Sequence, residues 1–193
     1  DAKDNLIKNT ASMFGMNLKI DIRTIDSFCE KIRYDFDKNR QGFVSQSENC
    51  IIGSEVMRKY SSAIASQYKY VFFDEFQDVN EEQFDILKCF AQNGCYLTVI
   101  GDDCQNIYEF RGTNNYWIIN FDSLIANTMT FKITSNYRSG KHIVDLANDV
   151  VSHNQAKIHK TMTPWFTNRH GKIVLQICTK KSYNEYIINC IRD

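Results

Sequence analysis

The stretch Tyr70-Val71-Phe72-Phe73-Asp74-Glu75 decides the fold. Four apolar residues of high β propensity end abruptly on two acids. That pattern predicts a strand buried on both faces, as in a parallel sheet, whose carboxyl end opens on a polar turn. The period then changes. Phe84, Ile86, Leu87 and Phe90 recur at helical spacing and predict a helix over residues 81–91. Tyr96 to Ile100 repeats the first pattern and stops at Gly101-Asp102-Asp103. Strand, helix and strand within about 30 residues make a βαβ unit, because parallel neighbours need a crossover. Asp74 and Asp102 should then end adjacent or near-adjacent strands and face one crevice.

The flanks extend the alternation. Upstream, helices are predicted at 2–13, 24–34 and 50–66, a short strand at Leu18–Ile22, and a loop at 35–49 around Gly42. Ile25, Phe28, Cys29 and Ile32 carry the 24–34 helix at i, i+3, i+4, i+7. Downstream come a strand at Thr130–Thr134, a helix at Lys141–Val151, an irregular stretch over 154–171, a strand at Lys172–Ile177 and a helix at Tyr183–Ile191. The class is α/β.

Composition narrows the chemistry. At 193 residues, 43% apolar and 24% charged, the chain can build a packed core and is not disordered as a whole. Lys and Arg number 23, as do Asp and Glu, so no global basic field marks a nucleic-acid binder. No apolar run approaches the roughly 20 residues of a membrane helix. The seven cysteines form no CxxC pair, which argues against a zinc site or a disulfide framework and for reduced thiols. The expected location is a reducing compartment, cytoplasmic or nuclear, without secretion.

Three clusters carry chemistry. An Asp at the end of a buried strand can hold Mg²⁺, usually through water, and a neighbouring Glu can polarise the water that attacks a γ-phosphate. Asp74 and Glu75 stand there; the plain alternative is that they cap the next helix. In the second cluster Gln105 follows Asp102-Asp103 closely enough to sense a γ-phosphate, and Tyr108 and Phe110 offer flat faces to unpaired bases. Either ring can instead be core. The third is Asn136-Tyr137-Arg138-Ser139, ahead of a helix. Tyr137 can stack on a purine and Arg138 can reach a γ-phosphate, or Ser139 can simply cap the helix.

Taken together, the runs Val71–Asn80, Val99–Gly112 and Asn136–Ser139 resemble motifs II, III and IV of UvrD/Rep-like superfamily 1 DNA helicases, and Thr24-Ile25-Asp26-Ser27-Phe28 resembles motif Ib with Asp26 where the family usually has His. Ile143, Ala147, Asn148 and Asn154 fit the helix after motif IV. The resemblance implies a RecA-like P-loop NTPase fold, with residues 1–126 in a first RecA-like domain and 127–193 opening a second. It implies ATP and Mg²⁺ as cofactors, single-stranded DNA and DNA junctions as partners, and ATP-driven 3′→5′ movement. Residue by residue, Asp74 is the implied Mg²⁺ ligand and Glu75 the catalytic base. Gln77 and Asp78 are couplers, and Gln105 is the γ-phosphate sensor. Tyr108 and Phe110 stack on DNA, with Arg111 structural or coupling. Tyr137 stacks on adenine, and Arg138 contacts the γ-phosphate. Thr24 and Ser27 are candidates for the DNA backbone.

The departures bear on activity. No GxxxxGK[ST] occurs, and motifs V and VI are missing, so the expectation is an internal piece of a larger helicase with motif I upstream. Only about 45 residues separate motifs Ib and II, too few for the subdomain that longer members insert there. Alone, the chain is expected to hydrolyse little ATP. The competing reading is a degenerate helicase-like module that binds DNA or protein without ATPase activity. An RNA helicase is disfavoured because the acidic motif reads DEFQD.

Overall fold

The computed structural model describes residues 20–37, 44–106, 115–155, 157–168 and 173. The chain divides into two compact units, Asp1–Thr130 and Phe131–Asp193.

In the first unit, α1 spans Ile25–Phe36 and starts where the Thr24 hydroxyl accepts a hydrogen bond from the Ser27 amide. Helix α2, Gln46–Lys59, opens with a reciprocal capping box between Ser45 and Glu48. After a break at Tyr60, the short α3 covers Ser61–Ala65. The expected single helix over 50–66 is therefore two, and it begins earlier. Strand β1, Tyr70–Phe73, is followed by a 3₁₀ turn at Phe76–Asp78 and by α4, Glu81–Gln92. Strand β2, Tyr96–Val99, leads to a second 3₁₀ turn at Asp103–Gln105. Two one-turn helices, α5 at Tyr116–Ile119 and α6 at Phe121–Leu124, complete the unit.

Helix α4 forms because Asn80 and Gln83 cap each other's backbone and because Phe84, Ile86, Leu87 and Phe90 are all buried. Each such side chain contributes about 1.5–3 kcal/mol on burial, so the stripe outweighs a cap worth about 1 kcal/mol. Asn80 is the cap, so Asp74 and Glu75 do not cap this helix. Phe28, Cys29 and Ile32 of α1 pack with Cys50, Val56 and Met57 of α2 and Ile86 and Phe90 of α4. Gly53 allows the close approach of α1 and α2, since a Cβ there would lie 2.5 Å from the Cys29 Sγ. That sulfur sits against the Cys50 thiol in the core, and both raise the Cys29 pKa well above the ordinary thiol value. A second cluster gathers Phe76, Val79, Phe84 and Leu87 against Val71, Phe73, Leu97 and Val99 from the sheet and Trp117, Ile118 and Phe121 from α5 and α6.

β1 and β2 pair in parallel, Phe73 opposite Val99, as the βαβ reading requires. The expectation of strands buried on both faces is corrected. Val71, Phe73, Leu97 and Val99 turn inward, whereas Tyr70, Phe72 and Tyr96 are exposed. Alternate side chains of a strand point to opposite faces, and among the described residues only one face is packed. Tyr70 and Tyr96 stack across the open face with centroids 5.3 Å apart.

In the second unit, β3 (Ser135–Asn136) pairs in parallel with β4 (Thr163–Pro164), and α7 spans Lys141–Ser152. The strand expected at Thr130–Thr134 is thus displaced to Ser135–Asn136. The Thr163 amide donates to the Thr134 carbonyl at 2.7 Å and the Trp165 amide to Asn136 at 2.9 Å. Pro164, which has no N–H, occupies the intervening position. Phe131 and Ile133 precede this ladder and stay exposed. Residues 20–22 of the expected Leu18–Ile22 strand are irregular, with no ladder partner among the described residues. The helices expected at 2–13 and 183–191 and the strand at 172–177 lie outside the described residues, residue 173 excepted. No described helix is long and apolar enough to cross a membrane.

Candidate functional site

Two acidic turns meet at the carboxyl ends of β1 and β2. The ladder continues past the strands, with the Ile100 amide donating to the Phe73 carbonyl at 2.8 Å and the Phe76 amide to Ile100 at 2.9 Å. Asp74 and Glu75 are exposed there, and the Asp74 carboxylate accepts from the Glu75 amide at 3.0 Å. Glu75 adopts φ 54°, ψ 43°, a left-handed conformation that a residue with a Cβ rarely takes. It reverses the chain between strand and turn, so that Phe76 and Gln77 enter the core while the Glu75 carboxylate stays outside.

Gln77 joins the two turns. Only 2% exposed, it donates from Nε2 to the Glu75 carboxylate at 2.7 Å and accepts at Oε1 from the Asp102 amide at 3.0 Å. Its carbonyl accepts from Asn106 Nδ2 at 3.0 Å. Gly101 is required beside it, because a Cβ at that position would lie 2.8 Å from Gln77 Oε1 and 3.1 Å from the Gln77 backbone nitrogen.

Asp102 organises the second turn. Its carboxylate accepts from the Cys104 amide at 3.1 Å and from Gln105 Nε2 at 2.9 Å. Gln105 is exposed but tethered by its side chain to the residue that Gln77 holds. Ligand atoms of Asp102, Asp103 and Cys104 lie within 4.8 Å of one another, yet the Asp102 oxygens are engaged in shaping the turn. Asp78 Oδ1 is buried without a hydrogen-bond partner among the described residues. Lost hydration raises the pKa of this carboxyl, and the nearby Glu75 charge adds to the effect.

In the second unit, the Asn136 side chain accepts from the amides of Arg138 at 3.0 Å and Ser139 at 2.8 Å, an Asx turn that leads into α7. Gly140, not Ser139, is the N-cap, which corrects the capping alternative. Tyr137 and Arg138 are exposed beside a concavity of about 430 Å³ lined by Ser135, Asn136, Tyr137, Arg138 and Met162.

The structure thus brings Glu75, Gln77 and Gln105 into one bonded chain through Asp102, with Asp74 adjoining, and sets Tyr137 and Arg138 on one turn. Thr24 and Ser27 share the cap of α1, where the Thr24 oxygen accepts from Ser27. Tyr108, Phe110 and Arg111 lie outside the described residues. The bridging roles of Asp102, Gly101 and Asn106 have no signature in sequence spacing, since they depend on contacts across two turns more than 20 residues apart.

Residues 32–126 match the model of the UvrD/REP helicase N-terminal domain. Over 143 residues the chain is 37% identical to a probable DNA helicase II homolog of Mycoplasma capricolum, covering 72% of this chain and 19% of that protein. It is 34% identical over 131 residues to the ATP-dependent DNA helicase PcrA of Leuconostoc citreum, covering 68% of this chain and 17% of the relative. A putative ATP-dependent DNA helicase YjcD of Bacillus subtilis is 39% identical over 97 residues, 50% of this chain and 13% of its own length. The chain therefore spans less than a fifth of these curated relatives. With the acidic turns at the ends of paired parallel strands, these matches place the chain in the UvrD/REP helicase family.

Proposed function

We propose that the chain is part of an ATP-dependent DNA helicase that couples hydrolysis to 3′→5′ movement on single-stranded DNA. In this reading residues 1–126 belong to a first RecA-like domain and 127–193 open a second. The supporting observation is the Gln77 bridge, which ties the exposed Glu75 carboxylate to the turn that carries Gln105.

The donor set at β1 fits a hard cation: Asp74 and Glu75 present exposed carboxylate oxygens at a strand end, and Mg²⁺ takes oxygen ligands. Asp74 would hold Mg²⁺ through water, and the ion would neutralise charge on the ATP phosphates. Glu75 accepts a proton from the attacking water. Gln105 contacts the γ-phosphate, so a change there is felt at Asp102, Gln77 and Glu75 through consecutive hydrogen bonds. In the second unit Tyr137 stacks on adenine and Arg138 stabilises charge on the γ-phosphate. Tyr108 and Phe110 take unpaired bases, and Thr24 and Ser27 lie toward the DNA backbone. DNA junctions are the expected substrates.

Glu75→Gln in the full-length helicase tests this. An amide cannot accept the proton, so turnover should vanish while nucleotide still binds. Hydrolysis near the normal rate would refute the role of Glu75. Because these 193 residues contain no GxxxxGK[ST], the chain alone should show negligible ATPase activity. DNA binding that persists in a full-length protein without ATPase activity would favour the degenerate-module reading.

A further inference from the structure

Tyr137 does not stand alone. The parallel register of β3 and β4, Ser135 with Thr163 and Asn136 with Pro164, carries on to set Trp165 beside Tyr137. The Trp165 amide donates to the Asn136 carbonyl at 2.9 Å. The two rings touch, with centroids 4.9 Å apart and planes inclined at 37°. Yet Tyr137 is 56% and Trp165 59% exposed, so the pair is not a buried packing contact. Two large aromatic side chains are held together on a wet surface, and Tyr137 of the pair lines the concavity of about 430 Å³, within the roughly 300–1,000 Å³ range of small-molecule sites.

The backbone explains why the pair is ordered. The Asn136 side chain fixes the turn after Tyr137 through the amides of Arg138 and Ser139, while the Asn136 carbonyl anchors Trp165. One residue thereby fixes the backbone under both rings and under Arg138. A tyrosine free to rotate would lose conformational entropy when a base stacked on it. A neighbouring ring that already restricts it removes part of that loss.

We propose that Trp165 is a positioning residue for Tyr137, holding its ring as the platform on which the purine of ATP stacks. The inference rests on the reading of Tyr137 as the base-stacking residue. It assigns Trp165 no contact with the phosphates and no part in proton transfer. Its effect should therefore appear in the affinity for the base and not in the chemical step.

The test uses the full-length helicase and two probes, ATP and ribose 5-triphosphate, which lacks the base. Trp165→Ala should raise KM for ATP about 2- to 10-fold, the range expected for losing one aromatic pair, with kcat unchanged. The apparent affinity for ribose 5-triphosphate should not move, and Trp165→Phe should behave as wild type. If Tyr137→Ala weakens ATP but Trp165→Ala does not, the proposal fails while the base-stacking reading stands. If Tyr137→Ala leaves the preference for ATP over the baseless probe intact, the base-stacking reading fails and the proposal with it. Equal weakening of both probes by Trp165→Ala would mark a general structural role and also overturn it. Should that variant not fold, Trp165→Leu against Trp165→Phe decides: a raised KM only in the leucine variant supports the proposal, and equal values reject it.

Discussion

Gln77 and Asp102, 25 residues apart in sequence, are joined where the Asp102 amide donates to the buried Gln77 side-chain oxygen at 3.0 Å. This one bond closes the carboxyl end of the sheet beyond its last ladder pair. The Gln77 side-chain nitrogen donates to the Glu75 carboxylate on the opposite side, so the geometry of one acidic turn depends on that of the other.

Gln77→Ala should therefore cost more than a surface deletion. It strands the part-buried Asp102 amide and releases the Glu75 carboxylate, and an unsatisfied group costs up to about 1–3 kcal/mol when fully buried. Denaturant unfolding of the chain checks this. A midpoint equal to wild type would show that the bridge carries no stability.

The α1–α2 contact is equally specific. Gly53→Ala would improve helix propensity by about 1 kcal/mol, but its Cβ would collide with both the sulfur and the Cβ of Cys29. Overpacking costs about 1–3 kcal/mol, so the variant should melt lower. Adding Cys29→Gly should recover part of the gap between Gly53→Ala and a chain carrying Cys29→Gly alone. Strict additivity of the two changes would refute the clash.

Asp78 predicts a pH dependence. Its folded pKa is raised, chiefly by lost hydration and then by Glu75. Below the ordinary carboxylate range the group is protonated in both states and exerts no penalty. As pH rises through the raised folded pKa, the folded state must hold an unfavourable charge, and stability falls and stays lower. Asp78→Asn should thus be more stable than wild type near pH 7, with the advantage shrinking toward about pH 4. Unfolding midpoints at the two pH values measure it, and a pH-independent difference would contradict the assignment.

For DNA, Tyr108→Ala or Phe110→Ala in the full-length helicase should weaken single-strand binding about 5- to 150-fold, the loss of one stack. Basal ATPase without DNA should change far less. Melting temperature separates this from core packing. Both variants melting far lower, with unchanged DNA affinity per folded molecule, would remove the stacking role.

The local elements of this chain were legible in its residues. The helical stripes of α1, α4 and α7 and the acid-ended strands β1 and β2 carry short-range periodicity that needs no partner to be read. So did the family, because its motifs are contiguous runs. The second face of the sheet was not legible: an apolar tetrapeptide reads the same whether one side or both are covered, and only packing leaves Phe72 exposed and Phe73 inward. Nor was the displacement of β3, since a strand exists only where a partner's amides reach it, and here they come from Thr163 and Trp165. The left-handed Glu75, the Gln77 bridge and the Tyr137–Trp165 pair likewise arise between residues that tertiary folding alone brings together, at hydrogen-bond and ring-contact distances that no spacing along the chain encodes.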